Sequence, residues 1–164
     1  MTIQFSSLRL IDLSPLEVHS LYKLRVDVFV AEQKTPYQEI DDADADKNTR
    51  HILAWRTSQD HSQVIGATRV VPGEDITQIG RFVLAPDYRG TGLGDKLLRY
   101  TLRYVFENHP GDDVILDAQQ PLVQYYEKYG FMPEGELFDD TGVPHQNMRL
   151  SAAKLAQLIL KPAP

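Results

Sequence analysis

Three glycines at alternate positions, in Arg89-Gly90-Thr91-Gly92-Leu93-Gly94, form the stretch of this sequence best suited to chemistry. Glycine leaves no side chain over the backbone, so the N–H groups of such a turn point outward unobstructed. A helix that follows adds the partial positive charge of its N-terminus, and together they make a cradle for phosphate oxygens. Arg89 places a cation beside it. The plainer alternative is a tight connection in which glycine serves turn geometry alone. Two familiar phosphate motifs do not fit. A dinucleotide fingerprint started at Gly90 needs glycine where Asp95 stands, and a P-loop needs Gly-Lys-Ser/Thr where the chain reads Gly94-Asp95-Lys96-Leu97. NAD and ATP therefore lose ground to another phosphate-bearing ligand.

Other chemistries are excluded more directly. The chain has no cysteine, which removes disulfides, thiolate metal sites and a thiol nucleophile. The run Asp42-Ala43-Asp44-Ala45-Asp46 imitates the start of a calcium loop, but Lys47 stands where the glycine belongs and Leu53 where the glutamate belongs. The histidines at 19, 51, 61, 109 and 145 form no i, i+4 ligand pair, and no G-x-S-x-G nucleophile elbow occurs. No metal is expected.

These residues must be positioned by a mixed α/β set of elements. Residues 3–11 read as a strand. Ser14-Pro15-Leu16-Glu17 carries a capping box with proline at the first helical position. Leu21, Leu24, Val28 and Ala31 then give an apolar helical stripe that ends before Thr35-Pro36. An acid-rich loop spans 36–49. Strands at 50–57, 63–71 and 77–85 suggest an antiparallel meander. The glycine turn opens a helix with Leu93, Leu97, Leu98, Leu102 and Val105 inward, stopped at Asn108-His109-Pro110-Gly111. A buried-type strand follows at 113–118. A helix from Pro121 carries Leu122, Tyr126 and Tyr129 on one face and is capped by Gly130. Strands at 131–138 and 145–150 flank a turn at Asp139-Asp140-Thr141-Gly142, and Ser151 caps a terminal helix. Residues 1–164 are expected to form one domain, with 151–164 a short helix and tail.

With 17 basic and 23 acidic residues the formal charge is -6, which argues against a general nucleic-acid binder. Much of the excess lies in one loop, at Glu39, Asp41, Asp42, Asp44 and Asp46. No signal peptide or membrane-spanning run is read, so the expected location is cytoplasmic, with no membrane partner. The terminal helix is expected to pack on the domain or on a second subunit, which keeps a homodimer among the alternatives.

The segment Phe82-Val83-Leu84-Ala85-Pro86-Asp87-Tyr88-Arg89-Gly90-Thr91-Gly92-Leu93-Gly94 closely resembles the acetyl-CoA-binding motif of the GNAT superfamily of N-acetyltransferases. Tyr125-Tyr126-Glu127-Lys128-Tyr129-Gly130-Phe131 is similar to a second segment of that family, and the two stand in the family's order with one strand between them. Leu24 to Gln33, Pro36 to Asp41, Arg50-His51-Ile52-Leu53, Ile79-Gly80-Arg81 and Gly142-Val143-Pro144-His145 resemble its ElaA-type branch. The resemblance runs from about residue 5 to 150.

The resemblance implies the GNAT fold, the acyl-CoA N-acyltransferase architecture. Its central sheet is mixed and mostly antiparallel, with a splayed parallel strand pair and flanking helices. It implies acetyl-CoA as cosubstrate and direct acetyl transfer to an amine of a small molecule or peptide. Phe82, Val83 and Leu84 would pair with the pantetheine arm. Arg89, Gly90, Thr91, Gly92, Leu93 and Gly94 would hold the pyrophosphate. Gln119 stands where many members place a cofactor-contacting Asn. Tyr126 matches the family's general acid, with a buried helix-face aromatic as the plainer alternative. His145 and Glu39 are base candidates. Tyr37, Asp41 and His51 are candidates for the acceptor side, with solvated-loop or structural roles as alternatives. The competing function is a non-catalytic acyl-CoA-binding or regulatory protein with the same fold.

Overall fold

A computed structural model describes residues 2–59 and 61–161. They gather into two compact units. The first comprises Met1–Val71 and Arg81–Thr101, the second Pro72–Gly80 and Leu102–Pro164.

In the first unit, β1 (Thr2–Leu8) pairs antiparallel with β2 (Arg50–Thr57), and β2 with β3 (Ser62–Pro72). β3 neighbours β4 (Ile76–Leu84), a strand that contributes to both units. The meander therefore matches expectation to within about a residue. The first strand is shorter than expected, because the chain turns into a single 3-10 turn at Leu10–Asp12. Helix α1 (Pro15–Val26) begins at the expected capping box: Ser14 Oγ accepts from the Glu17 N–H, and Glu17 Oε2 accepts from the Ser14 N–H. Leu21, Leu24, Val28 and Phe29 are buried in one cluster with Leu53, Trp55, Val64 and Val83.

Ala31, expected on the same stripe, is exposed. The reason is a π-helical turn at Asp27–Glu32, in which the Gln33 N–H donates to Val28 O five residues back. The wider turn breaks the 3.6-residue repeat and carries Ala31 and Glu32 off the buried face.

Helix α2 (Leu93–Asn108) follows the glycine turn, and its five expected inward residues are all buried. In the second unit β4 and β5 (Asp113–Gln119) run parallel over Ile76–Gln78 and Asp113–Ile115. β5 then pairs antiparallel with β7 (Val143–Leu150), and β7 with β6 (Met132–Asp140). The β6–β7 hairpin closes more tightly than expected. Thr141 and Gly142, both at positive φ, form a two-residue loop whose twist suits the strands.

Beyond β5, a 3-10 turn at Gln120–Leu122 leads into the short helix α3 (Val123–Glu127). Tyr126 and Tyr129 are buried as expected, but Leu122 lies before the helix and is exposed. Ser151 caps α4 (Ala152–Leu160) by accepting from the Lys154 N–H. Residues 162–164 of the expected tail lie outside the described residues. No helix among the described residues is long and apolar enough to cross a membrane.

Gly130, expected to cap this helix, stands three residues past its end, and Lys128 is the C-cap. Gly130 holds φ +97, and a Cβ added there would stand 3.2 Å from Leu150 Cδ1. An L-residue in that conformation costs about 1–2 kcal/mol. Gly130→Ala should therefore lower unfolding stability by at least about 1 kcal/mol, read as a lower urea midpoint at unchanged m-value.

Candidate active site

The glycine turn is built by the chain leaving β4. The Ala85 N–H donates to Ile65 O at 2.8 Å, and Tyr88 and Arg89 fold over a 3-10 turn at Pro86–Tyr88. Thr91 Oγ1 donates to Tyr88 O at 2.6 Å. Gly90 and Gly92 have φ of +71 and +83, and a Cβ at either would meet no atom within 4 Å. Their conformation excludes most residues, while the space beside them is open. Leu93 is buried and anchors the start of α2. The result is a fixed turn with an unobstructed outer face, the geometry an anion requires. Upstream, Val83 is buried in the core, and Phe82 and Leu84 are half-buried. Arg89 reaches Glu32, donating from both terminal nitrogens to its carboxylate at 2.6 and 2.7 Å.

The acid-rich loop is tied down by arginines of its own unit. Arg25 of α1, 1% exposed, donates to Glu39 Oε1 and Glu39 O, each at 2.7 Å. It also donates to Asp44 Oδ1 at 2.7 Å and Oδ2 at 3.2 Å. Arg69 donates to Asp41 and Asp44. Arg81 donates to Glu39 O and Asp41 Oδ2 and lies over the Tyr37 ring at 5.5 Å. Its Nε also sits 3.2 Å from Glu39 Oε2, a charge contact that falls outside hydrogen-bond alignment. Arg81 holds φ at +53 inside β4, a conformation unusual for a non-glycine residue.

Burial pushes the Asp44 carboxyl up, but the bonds and charge of Arg25, joined by the Asp41 N–H and Arg69, pull it below its ordinary range. His51 is 1% exposed, with Nε2 at 2.9 Å from Asp44 O. A carbonyl only accepts, so Nε2 carries the hydrogen. Burial lowers the His51 pKa, keeping the ring neutral. Thus Glu39 and Asp41, expected as base or at the acceptor, stand in one ion-pair network; neutral His51 borders it through Asp44 O, and Tyr37 lies under Arg81 at its edge.

In the second unit, Tyr126 is 5% exposed and packs edge-on against Tyr125 and Phe131. Burial pushes its phenol well above the ordinary value, so it stays protonated throughout the neutral range. Gln119 and His145 are directly paired across the β5–β7 ladder. The structure therefore sets these two expected residues side by side. His145 Nδ1 lies 2.8 Å from Val143 O, and its ring stacks on Phe138. The carbonyl fixes the hydrogen on Nδ1 and leaves the Nε2 lone pair as acceptor in the neutral ring. Asp117, exposed on β5, accepts from Asn147 Nδ2.

Five charged residues of these arrangements were not singled out from sequence as site residues: Arg25, Asp44, Arg69, Arg81 and Glu32. The signal for Arg25 was present. It occupies the fourth corner of the i, i+3, i+4, i+7 pattern Leu21, Leu24, Arg25, Val28, where a charge must find buried anions.

Fold and motif together define an acyltransferase of the GNAT type. The chain belongs to the GNAT acetyltransferase family: the model for the acetyltransferase (GNAT) domain matches residues 12–152. It is 33% identical over 149 residues to protein ElaA of Escherichia coli, covering 89% of this chain and 95% of that protein. The crystal structure of E. coli ElaA superposes with a TM-score of 0.82, covering 90% of this chain and 99% of that one. An acyl-CoA N-acyltransferase from Pseudomonas aeruginosa, 34% identical, gives the same TM-score over 90% and 99% of the two chains. The fold is also shared with the spermidine N-acetyltransferase of Vibrio cholerae, solved with CoA and spermine. That match is 17% identical with a TM-score of 0.68, covering 93% of this chain and 98% of that one.

Removing one partner of a buried ion pair leaves the other charge stranded. Asp44→Ala should cost about 3–5 kcal/mol of unfolding stability. Acid should destabilise the protein in two steps. His51 is held neutral when folded, so its contribution is intact above about pH 6.5, the ordinary histidine value, and declines as the pH falls below it. The Asp44 contribution is present above about pH 4 and is lost as the carboxyl protonates below that. His51→Gln, which keeps an N–H donor, should flatten the slope of thermal midpoint against pH between about 6.5 and 5.

Proposed function

We propose that this protein is an acetyl-CoA-dependent N-acetyltransferase that moves acetyl directly to a primary amine of a small molecule, protein or peptide, and that residues 1–164 serve this as one domain. The observation that carries the reading is the open, rigid glycine turn before α2 in a chain of the GNAT family. In this reading the backbone of Arg89–Gly94 holds the pyrophosphate, Phe82–Leu84 lie along the pantetheine, and Gln119 contacts the cofactor.

The reaction has two proton problems. An alkyl amine with a pKa of about 10 is protonated at neutral pH and must lose a proton before it attacks. The departing thiolate must gain one. The amine nitrogen attacks the acetyl carbonyl carbon, the C–S bond breaks, and the sulfur takes the Tyr126 hydroxyl proton. The ammonium gives its first proton to His145 Nε2 or to water before the attack. The proton shed by the nitrogen as the C–S bond breaks returns through water to Tyr126, so that the amide, the CoA thiol and one released proton are the products. The environments of the two groups support this division. Tyr126 stays protonated because it is buried, which suits an acid, while His145 keeps an acceptor nitrogen. Glu39 and Asp41 are better assigned to holding the loop, since arginines occupy them. His51, buried on Asp44 O, is likewise better assigned to the network, and Tyr37 under Arg81 is the candidate left for the acceptor side. With no cysteine in the chain, no acetyl-cysteine intermediate forms on it.

Two measurements test the reading. CoA and acetyl-CoA should raise the thermal midpoint, whereas NAD and ATP should not. Thiol release should appear with at least one amine in a panel of polyamines, amino acids, aminoglycosides, arylamines and lysine peptides. CoA binding without release across that panel would favour the non-catalytic alternative. Tyr126→Phe should keep acetyl-CoA affinity and lower kcat by about 10²-fold or more, measured with the best acceptor. An unchanged kcat would remove Tyr126 from the chemistry.

A further inference from the structure

We propose that Glu32 sets the affinity for the cofactor: its carboxylate occupies the Arg89 fork that a CoA pyrophosphate takes, and the cofactor binds by displacing it. This rests on the acyl-CoA reading above. Arg89 is the first residue of the open turn, and its two terminal nitrogens are both engaged by Glu32 at 2.6 and 2.7 Å. The same planar, bidentate geometry suits phosphate oxygens. Glu32 therefore presents to the turn's cation what a phosphate would present.

The pair is built to open. Both side chains are exposed, at 42% and 44%, and an exposed ion pair is weak because water competes for both partners. A pyrophosphate carries more charge than a carboxylate and also gains the outward N–H groups of the turn, so it outcompetes Glu32. Space for the displaced side chain exists. Glu32 lines a cleft of about 460 Å³ together with Lys23, Asp27, Pro86 and Asp87. The π-helical turn Asp27–Glu32 brings the carboxylate there, since its extra residue rotates Glu32 away from the buried face of Val28 and Phe29. A carboxylate left beside a bound pyrophosphate repels it, so Glu32 opposes the ligand that Arg89 attracts.

The sign of the effect separates this from bracing, in which Glu32 merely holds Arg89 in place. CoA dissociation constants are measured by calorimetry for the wild type, Glu32→Gln, Arg89→Ala and the double variant, with thermal midpoints as a folding control. Glu32→Gln should bind CoA about two- to fivefold more tightly. Arg89→Ala should bind it more weakly, and adding Glu32→Gln to Arg89→Ala should restore only part of the gain. Equal or weaker CoA binding by folded Glu32→Gln, with wild-type binding intact, overturns this inference alone. Failure of the wild type to bind CoA overturns the acyl-CoA reading and this inference with it.

Discussion

A guanidinium that is 1% exposed cannot be left unpaired, and the first unit is arranged around that constraint at Arg25. Its donors reach Glu39 and Asp44, 14 and 19 residues further along. Satisfying them draws residues 39–44 against α1. Two more arginines then settle the charges this brings together, Arg69 on Asp41 and Asp44 and Arg81 on Glu39 and Asp41. Three guanidiniums meet three carboxylates, so the loop that dominates the chain's formal charge is locally neutralised. A buried network of this kind does not by itself add stability over a packed apolar core. Its consequence here is register. Each carboxylate position is set by two cations on different elements, so the loop has one arrangement that satisfies all of them.

The network also fixes backbone where the cofactor is expected. Arg81 sits in the left-handed region inside β4, at a cost of about 1–2 kcal/mol for a non-glycine residue. Its side chain is held by Glu39 O and Asp41, so the interactions that settle the loop also stabilise the strained residue. Phe82, Val83 and Leu84 follow immediately. The other end of that segment is fixed by the Ala85 N–H on Ile65 O, and the turn beyond it by the Thr91 hydroxyl on Tyr88 O. The stretch from Arg81 to Gly92 is thus tied at several points, which suits a site that must present backbone groups in fixed directions.

Most elements were legible because their signals are local. The Ser14–Glu17 capping box, the Leu93–Val105 stripe and the meander strands depend on residues close in sequence, and each is found where expected. The glycine turn was legible for the same reason, since positive φ at Gly90 and Gly92 is a property of the residue type. What was not legible depends on partners far along the chain. The π-helical turn has no local signature in Asp27–Glu32, and it reversed the placing of Ala31. The acid run looked like a solvated loop because composition gives the number of charges, not the pairing. Arg25 on an apolar face was the one residue that could have shown that some of those acids are buried.

The same distinction bears on which substrate the protein can take. Had the acid-rich loop been solvated, its field would have favoured cationic acceptors in general. With Glu39, Asp41 and Asp44 bound to arginines, the loop offers a cationic amine little beyond Asp42 and Asp46, neither of which the network enlists. Exposed carboxylates attract amines weakly at physiological salt. Discrimination among acceptors therefore has to come from shape and from groups near the reacting nitrogen rather than from bulk charge. In the proposed reaction those groups include His145, held by Val143 O and by the Phe138 ring so that Nε2 remains an acceptor. Under that proposal an acceptor nitrogen so placed would favour an amine whose proton can pass to it, whether the amine belongs to a small molecule or to a peptide.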